Sequence, residues 1–552
     1  MNNEFSPFHN ERSKYQPRLP KALQGQVQIQ PVSGSAVQID AEIQKLFPTT
    51  TGLETVKLVS NDSSTAPAPG EPITVGVVLS GGPAPGGHNA IAGLFDALKK
   101  INPANRLLGF LNGPIGVIQG DHVEITPELV DQYRNTGGFD MIASGRDKIE
   151  SDEDIERCTR ALSMLGASAL VVIGGDDSNT NAAVLAEKFK ARNAGVQVIG
   201  LPKTIDGDMR NDIIETSFGF DTAAKTYAGL VANVARDAKS AKKYTHIIKL
   251  MGRAASHVAL EVGLQVRPNL TIISEEVEQR GWTLNQVVEQ IVDVVVRRSE
   301  AGKNYGVIVI PEGLLEFLSD FKVLLQELSI LLRDSEEILN AYSSDEDRRQ
   351  FINMKLLSES ARVYATLPDS IQHALLKPDK HGNIPVSQIE TDYLLMDLVK
   401  LRLKELRLEG KYKGQFAPLH HFFGYEGRCV APSNFDAEYC YALGYSAAYL
   451  IQGGLTGYTV FGQNMLAPTE EWQMGGIPVT SMLNLELRKG KMKPVIKKAL
   501  VELEGKPFKK FAAERDNWVV NDAYRFVGPI QYYGPPELAD ARTITLRLER
   551  GE

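Results

Sequence analysis

Two pairs of acidic residues set the first chemical question about this chain. Asp176 and Asp177 follow an apolar run through two glycines in IGGDDSN, and Asp206 and Asp208 flank Gly207 in PKTIDGD. Carboxylates on loop tips at the ends of buried strands can do two things beside a phosphate. They can hold Mg²⁺, and they can accept the proton of an attacking hydroxyl. For any single aspartate the alternative is a helix N-cap or an Asx turn, since both stretches read as preceding helices. Lys203 on one side of the second pair and Arg210 on the other turn the set toward catalysis.

Glycines mark the same places. Gly81-Gly82 in LSGGPAPGGHN, Gly174-Gly175 and Gly207 each follow a β-branched run, and glycine makes up 48 of the 552 residues. At the carboxyl end of a parallel strand, backbone N–H groups and the next helix N-terminus form an anion-binding hollow. Glycine there lets a phosphate approach the main chain with no Cβ in the way. A lone glycine pair is as readily a tight turn; three at strand ends, two of them with paired carboxylates, favour a site. Met251, Gly252 and Arg253 follow the run Tyr244–Leu250 and open an expected helix, ASHVALEVGL, offering backbone donors and a guanidinium to phosphoryl oxygens. Glu312 closes YGVIVIPEG, where a carboxylate can accept hydrogen bonds from sugar hydroxyls or sit in a solvated turn. Arg428 in FFGYEGR is a further candidate for a phosphate.

Other chemistries fail on spacing. There is no G-x-x-x-x-G-K-[ST] and no G-x-S-x-G, and LSGGPAPGGHN is not G-x-G-x-x-G. The nine histidines are scattered, and His420 and His421 would point to opposite faces of a strand. The three cysteines, Cys158, Cys429 and Cys440, form no CxxC, against a disulfide framework or a thiolate zinc site.

The elements that must position these residues follow from hydrophobic pattern. Short β-branched runs at Ile73–Leu79, Ala169–Ile173, Val196–Leu201, Tyr244–Leu250, Leu270–Ile273 and Tyr305–Ile310 alternate with amphipathic stretches such as Ala90–Lys100, Asn179–Ala191 and Leu284–Glu300. Continuous apolar strands alternating with helices predict parallel sheet buried on both faces, in an α/β chain of two doubly wound βαβ lobes. Residues 1–72, ending in the linker-like NDSSTAPAPGEP, read as an N-terminal arm. From near Leu314 to about Tyr412 the pattern becomes helical and charged, a mainly helical insertion. A net charge of −8 offers no footprint for nucleic acid or anionic lipid. With a polar N-terminal stretch and no apolar run of about 20 residues, the expectation is a soluble cytoplasmic protein.

In order and spacing, GVVLSGGPAPGGHNAI, IGGDDSNTNA, PKTIDGD, KLMGRAASHVALE, VIPEG and HFFGYEGR closely resemble phosphofructokinases. Their particular variants look like the long pyrophosphate-dependent type, diphosphate–fructose-6-phosphate 1-phosphotransferase. The resemblance covers roughly residues 73–315 and 412–500. It implies a phosphofructokinase-like fold and reversible, Mg²⁺-dependent phosphoryl transfer from pyrophosphate to fructose 6-phosphate, a step of glycolysis and gluconeogenesis. Lobes follow from it: a pyrophosphate lobe at 73–215 completed by about 427–500, and a fructose-6-phosphate lobe at 216–315 completed by about 413–426. The insertion would then be 316–412, and 501–552 a C-terminal segment.

Two substitutions bear on the donor. ATP-dependent relatives typically read GGDGS and PGTIDND, whereas this chain has Asp177 and Lys203 at the varied positions. A carboxylate at 177 would fill and charge the space of the ATP α-phosphate and nucleoside, and Lys203 would stabilise a phosphate leaving group. Pro83 stands where many short forms have Asp.

The resemblance further implies that Gly82 contacts pyrophosphate, Asp176 holds Mg²⁺, and Asp206 takes the proton of the 1-hydroxyl. Thr204 and Ile205 lie at the sugar end, and Asp208 supports it. Met251, Gly252 and Arg253 bind substrate, with Arg253 on the transferring phosphoryl. Glu312 binds fructose hydroxyls, Tyr425, Glu426, Gly427 and Arg428 hold the sugar and its 6-phosphate, and Arg146 in SGRDKI resembles a polyphosphate-binding arginine. Lys243 and Tyr244 match a segment that reaches the 6-phosphate from a neighbouring subunit, so a homodimer or larger homo-oligomer is expected, with no nucleic-acid or membrane partner. Three rival readings stay open: an ATP-dependent phosphofructokinase, a non-catalytic regulatory subunit, and a nucleotide-binding protein without transfer.

Overall fold

The computed structural model describes residues 6–35, 39–61, 70–376, 384, 389–488 and 491–551; most of the expected linker NDSSTAPAPGEP lies outside them. The chain divides into two units. The first comprises Met1–Ala224, Tyr425–Ala499 and Ile530–Glu552, and the second Lys225–Gly424 and Leu500–Pro529.

In chain order the strands are β1 (Gln26–Pro31), β2 (Val56–Asn61), β3 (Thr74–Leu79), β4 (Arg106–Phe110), β5 (His122–Glu124), β6 (Ala167–Gly174), β7 (Gln197–Thr204) and the two-residue β8 (Phe218–Gly219). There follow β9 (Thr245–Leu250), β10 (Leu270–Thr271), β11 (Gly306–Pro311), β12 (Pro418–Phe423), β13 (Tyr458–Gln463), β14 (Gln473–Pro478), β15 (Leu483–Arg488) and β16 (Lys491–Ile496).

The first unit is built on a ten-stranded sheet in the order β1-β2-β14-β13-β7-β6-β3-β4-β5, with β8 beside β7. Its centre, β13-β7-β6-β3-β4, is parallel, as the continuous apolar runs require. Antiparallel strands finish both edges. Residues 1–72 therefore supply two strands of this sheet, because Val56 and Leu58 of β2 alternate with more exposed neighbours and bury one face. Helices Asp152–Met164 and Asp176–Ala191 cover the sheet through Cys158, Leu162, Leu185 and Phe189, packed with Phe110, Leu170 and Val172. Strand order reverses at β3, which has β4 on one side and β6 on the other. In open α/β sheets such a reversal opens a crevice at the carboxyl ends of the strands.

The second unit holds an all-parallel sheet in the order β10-β11-β9-β12. Every residue of β9 and β11 is buried. From Leu314 the described residues of the insertion are mainly helical, and helices Ser319–Asp334, Asp345–Lys355 and Thr391–Leu408 send Leu324, Leu328, Ile352, Val399 and Leu403 into one core with Ile247, Ile308 and Ile310 of the sheet. The insertion thus shares its hydrophobic core with the sheet it interrupts. Among the described residues no helix is long and apolar enough to cross a membrane.

Candidate active site

Three strand ends meet in the first unit. Ser80, just past β3, donates its N–H to the Ile173 carbonyl at 2.8 Å, and the Ser178 hydroxyl donates to Ser80 Oγ at 2.8 Å, so the β3 and β6 turns are tied together. Gly81 donates to the Gly145 carbonyl at 2.8 Å, which brings the SGRDKI loop alongside and leaves Arg146 exposed. Gly81 has φ of 84°, the left-handed region that glycine accepts without strain, and a Cβ there would lie 3.3 Å from Lys203 Nζ. A Cβ at Gly82 would run into the Arg428 guanidinium. The glycine pair is therefore bare main chain facing two cations.

Lys203 is the last but one residue of β7 and is buried. Burial pushes its ammonium down to about 8; Arg428 pushes the same way, and Asp206, Asp176 and Asp208 oppose both. All four charged neighbours thus act on Lys203. The Asp206 N–H donates to Thr204 Oγ1 at 3.0 Å, a local bond that shapes the turn, while Ile205 is buried beneath it. Asp208 is held well above the usual carboxylate range, first by burial and then by Asp206 and Asp176, against Lys498 and a hydrogen bond to Thr204. Helix Tyr425–Arg428 carries the remaining motif, with Tyr425 and Glu426 exposed and the Arg428 guanidinium 5.4 Å from the Tyr425 ring centre.

Asp176, Asp206 and Asp208 bring three carboxyl groups into one another's field, the hard oxygen donors that a divalent cation takes. Among the described residues no group of three or more His, Cys, Asp or Glu forms an all-protein cage. Mg²⁺ needs none, since it is commonly held by one or two carboxylates plus phosphate oxygens and water. Asp176, about one-fifth exposed, and the partly exposed Asp206 are the carboxylates that could take such a role.

Several expectations need correcting. Asp176 and Asp177 are not loop residues: they are the first two residues of helix Asp176–Ala191, behind Gly175 as N-cap, where the helix dipole favours their charge. TIDGD is followed by a turn and β8, not directly by a helix. Arg210 pairs with Glu549 at 2.8 Å, so its charge is committed to the C-terminal helix and not to the acidic pair. In the second unit the helix after MGR begins only at His257, leaving Met251–Ser256 as a turn.

That turn meets the ends of β11 and β12. Met251 donates its N–H to the Phe423 carbonyl at 3.0 Å, and Glu312 donates to the Leu250 carbonyl at 2.9 Å. The Gly252 N–H donates to Glu312 Oε2 at 3.2 Å, with Gly252 at φ 138°. A Cβ at Gly313 would strike the Arg253 carbonyl, so the glycine of VIPEG is required by close approach, and the Arg253 side chain is left exposed. Burial raises the Glu312 carboxyl, with Gly252, Arg253 and Lys249 pulling it back. Lys243 and Tyr244 lie at the other end of β9, about 23–26 Å from Met251 at about 3.3 Å per residue, so one chain does not bring these two groups together.

Sequence reasoning missed four residues here. Lys148 pairs with Asp177 at 3.1 Å, both about half exposed; it stands two places from Arg146 and was within reach of the motif. Lys498 lies 3.4 Å from Asp176 and is one of five lysines in KGKMKPVIKKAL, with nothing local to single it out. In the second unit Lys249 pairs with Asp392 at 2.9 Å, both buried, and Asp392 also takes His420 Nδ1 at 3.2 Å. Asp392 opens the last insertion helix, so its partnership depends on long-range folding.

Comparison with known proteins gives a consistent result. The phosphofructokinase family model matches residues 74–350. A pyrophosphate–fructose 6-phosphate 1-phosphotransferase of Porphyromonas gingivalis is 50% identical over 551 residues, 99% of each chain. One of the same name from Treponema pallidum is 47% identical over 558 residues, covering 99% of this chain and 97% of its own. A crystal structure of a pyrophosphate-dependent phosphofructokinase from Marinobacter aquaeolei shares the fold, at a TM-score of 0.52 and 16% identity, over 82% of this chain and 93% of that one.

Proposed function

The chain belongs to the phosphofructokinase family, and on that premise we propose that it transfers a phosphoryl group reversibly from pyrophosphate to the 1-hydroxyl of fructose 6-phosphate, giving fructose 1,6-bisphosphate and phosphate. The observation that carries this reading is Lys203. A buried ammonium beside the bare main chain of Gly81 and within the field of Asp206 would suit a small, highly charged leaving group. Asp206 takes the proton from the attacking hydroxyl, and Lys203 stabilises the departing phosphate. Gly82 offers main chain to pyrophosphate, and Arg428, seated over it, brings phosphate-binding charge beside the donor. Asp176 would hold Mg²⁺, which when bound neutralises phosphate charge. Arg146 is assigned to the same polyphosphate; Thr204, Ile205 and Asp208 support the sugar end.

In the second unit, Arg253 is assigned to the transferring phosphoryl, Met251 and Gly252 to substrate, and Glu312 to the fructose hydroxyls. Tyr425, Glu426 and Gly427, in the first unit, are assigned to the sugar. The distance along β9 supports a homo-oligomer, in which Lys243 and Tyr244 serve a neighbouring subunit's substrate. Asp177, held half-exposed by Lys148, keeps a charge at the helix start that a nucleotide donor would have to meet. The same reading places the chain in the cytoplasm, where its three free cysteines stay reduced.

Coupled turnover with fructose 6-phosphate and Mg²⁺, supplied with pyrophosphate or with ATP, tests the proposal. Turnover with pyrophosphate and little with ATP is expected. Turnover with ATP alone, or with neither donor, would overturn it. Replacing Asp177 and Lys203 together by glycine should weaken pyrophosphate use and admit some ATP.

A further inference from the structure

Lys498 reaches the acidic cluster of the first unit from outside every motif. Its Nζ stands 3.4 Å from Asp176 Oδ2, with 29% of the side chain exposed, and its charge also acts on Asp208. The segment carrying it is pinned on both sides. Ile496 donates its N–H to Thr180 Oγ1 at 3.1 Å, one turn into the helix that Asp176 begins. Ala499 donates its N–H to the Asp208 carbonyl at 2.8 Å. The backbone on either side of Lys498 is thus bonded to the segments that carry Asp176 and Asp208.

The ion pair itself is loose. Charge-assisted hydrogen bonds of this kind close to about 2.7–2.9 Å, and a partly exposed pair beyond that range gains little from its attraction. An ammonium on a flexible four-carbon stem with three rotatable donors can exchange one oxygen for another at little cost. Pyrophosphate has no base or sugar for a protein to grip, so cations must supply most of its affinity. Asp176 is also the carboxylate proposed to hold Mg²⁺, and two cations crowded on one carboxylate repel each other.

Resting on the function proposed above, we propose that Lys498 is a donor-site residue that exchanges partners. It holds Asp176 while no donor is bound, and it moves to a phosphate oxygen of pyrophosphate when Asp176 is taken up by the magnesium-bound donor. The lysine thus guards the metal carboxylate against premature loading and then contributes its charge to the donor.

The exchange predicts two effects of opposite sign in one variant. In full-length Lys498→Met, Mn²⁺ alone, counted by loss of its free-ion paramagnetic resonance signal, should bind several-fold more tightly. Calorimetric binding of pyrophosphate with Mg²⁺ should weaken by about tenfold or more. Lys498→Arg should restore most of the pyrophosphate affinity, and thermal midpoints check that all three chains are folded. A merely structural role would move both affinities in the same direction along with the midpoint, and that result overturns the exchange. So does any pattern lacking either sign. If the wild-type chain itself binds no pyrophosphate, the proposed function fails, and the role of Lys498 with it.

Discussion

In the first unit the ends of β3, β6 and β7, with the helix at Arg428, gather three buried or half-buried cations, Lys203, Arg428 and Lys498, and three carboxylates, whereas in the second the ends of β9, β11 and β12 are joined by main-chain bonds around one half-buried carboxylate, Glu312. The first arrangement is electrostatically costly: it depresses Lys203 and raises Asp208. The second is sterically demanding, with Gly252 at positive φ and Gly313 pressed on the Arg253 carbonyl. Dense, mixed charge suits a place where negative charge shifts between groups, because prearranged dipoles need not reorganise as it moves. One carboxylate set by backbone suits neutral hydroxyls, whose recognition depends on direction more than on charge.

If that contrast is right, breaking each unit should give a different kind of damage. The largest effect is expected from Asp206→Asn, lowering kcat by about 10²–10⁴ in steady-state assays while the KM for fructose 6-phosphate changes little. A kcat close to wild type would remove the general base from the first unit's cluster. The second unit should answer in stability instead. Asp392→Ala strands Lys249 buried without its partner, and urea unfolding should show a loss of about 3–5 kcal/mol. A change under about 1 kcal/mol would mean that the insertion does not hold the sheet through this pair.

Lys203 supplies a pH signature. Its folded value of about 8 lies below the ordinary 10.5, so its charge is lost as pH rises through 8, and kcat/KM for pyrophosphate should fall above that point. By linkage the unfolded chain holds the extra proton between about 8 and 10.5. This residue's contribution to stability is therefore present above 10.5 and lost as pH falls to about 8. Lys203→Arg should abolish the basic limb of the rate profile; an unchanged limb would assign it to another group. The smallest effect is expected at Glu312. Replacing it by Gln keeps the shape and one acceptor oxygen, so the KM for fructose 6-phosphate should rise about five- to tenfold, near 1 kcal/mol, and the KM for pyrophosphate should stay put. Equal rises in both would erase the contrast between the units.

Much of this was legible in the chain. β3, β6, β7, β9 and β11 announce themselves as unbroken apolar runs because parallel strands are buried on both faces, a requirement written residue by residue. The glycines at 81, 82 and 252 stand out in the chain because each follows an apolar run, but what presses on the first two is remote: Lys203 at 81 and the Arg428 guanidinium at 82. Helix starts were harder: Asp176 and Asp177 serve equally as loop or first-turn residues, and only the hydrogen bonds of Gly175 as N-cap decide. β1 and β2 escaped notice because strands with one face exposed carry a weak pattern, and the pairing of β2 with β14 spans some four hundred residues.

The sequence by itself determined the strand–helix alternation, the glycine-bearing strand ends and the residue types available there, since each depends on neighbours a few positions apart. Tertiary structure alone decided which charges meet. Arg210 went to Glu549, Lys498 came to Asp176, Lys148 to Asp177 and Lys249 to Asp392. A charge has no sequence register: its partner is set by where burial and the sheet bring distant segments, and that is the information local pattern does not contain.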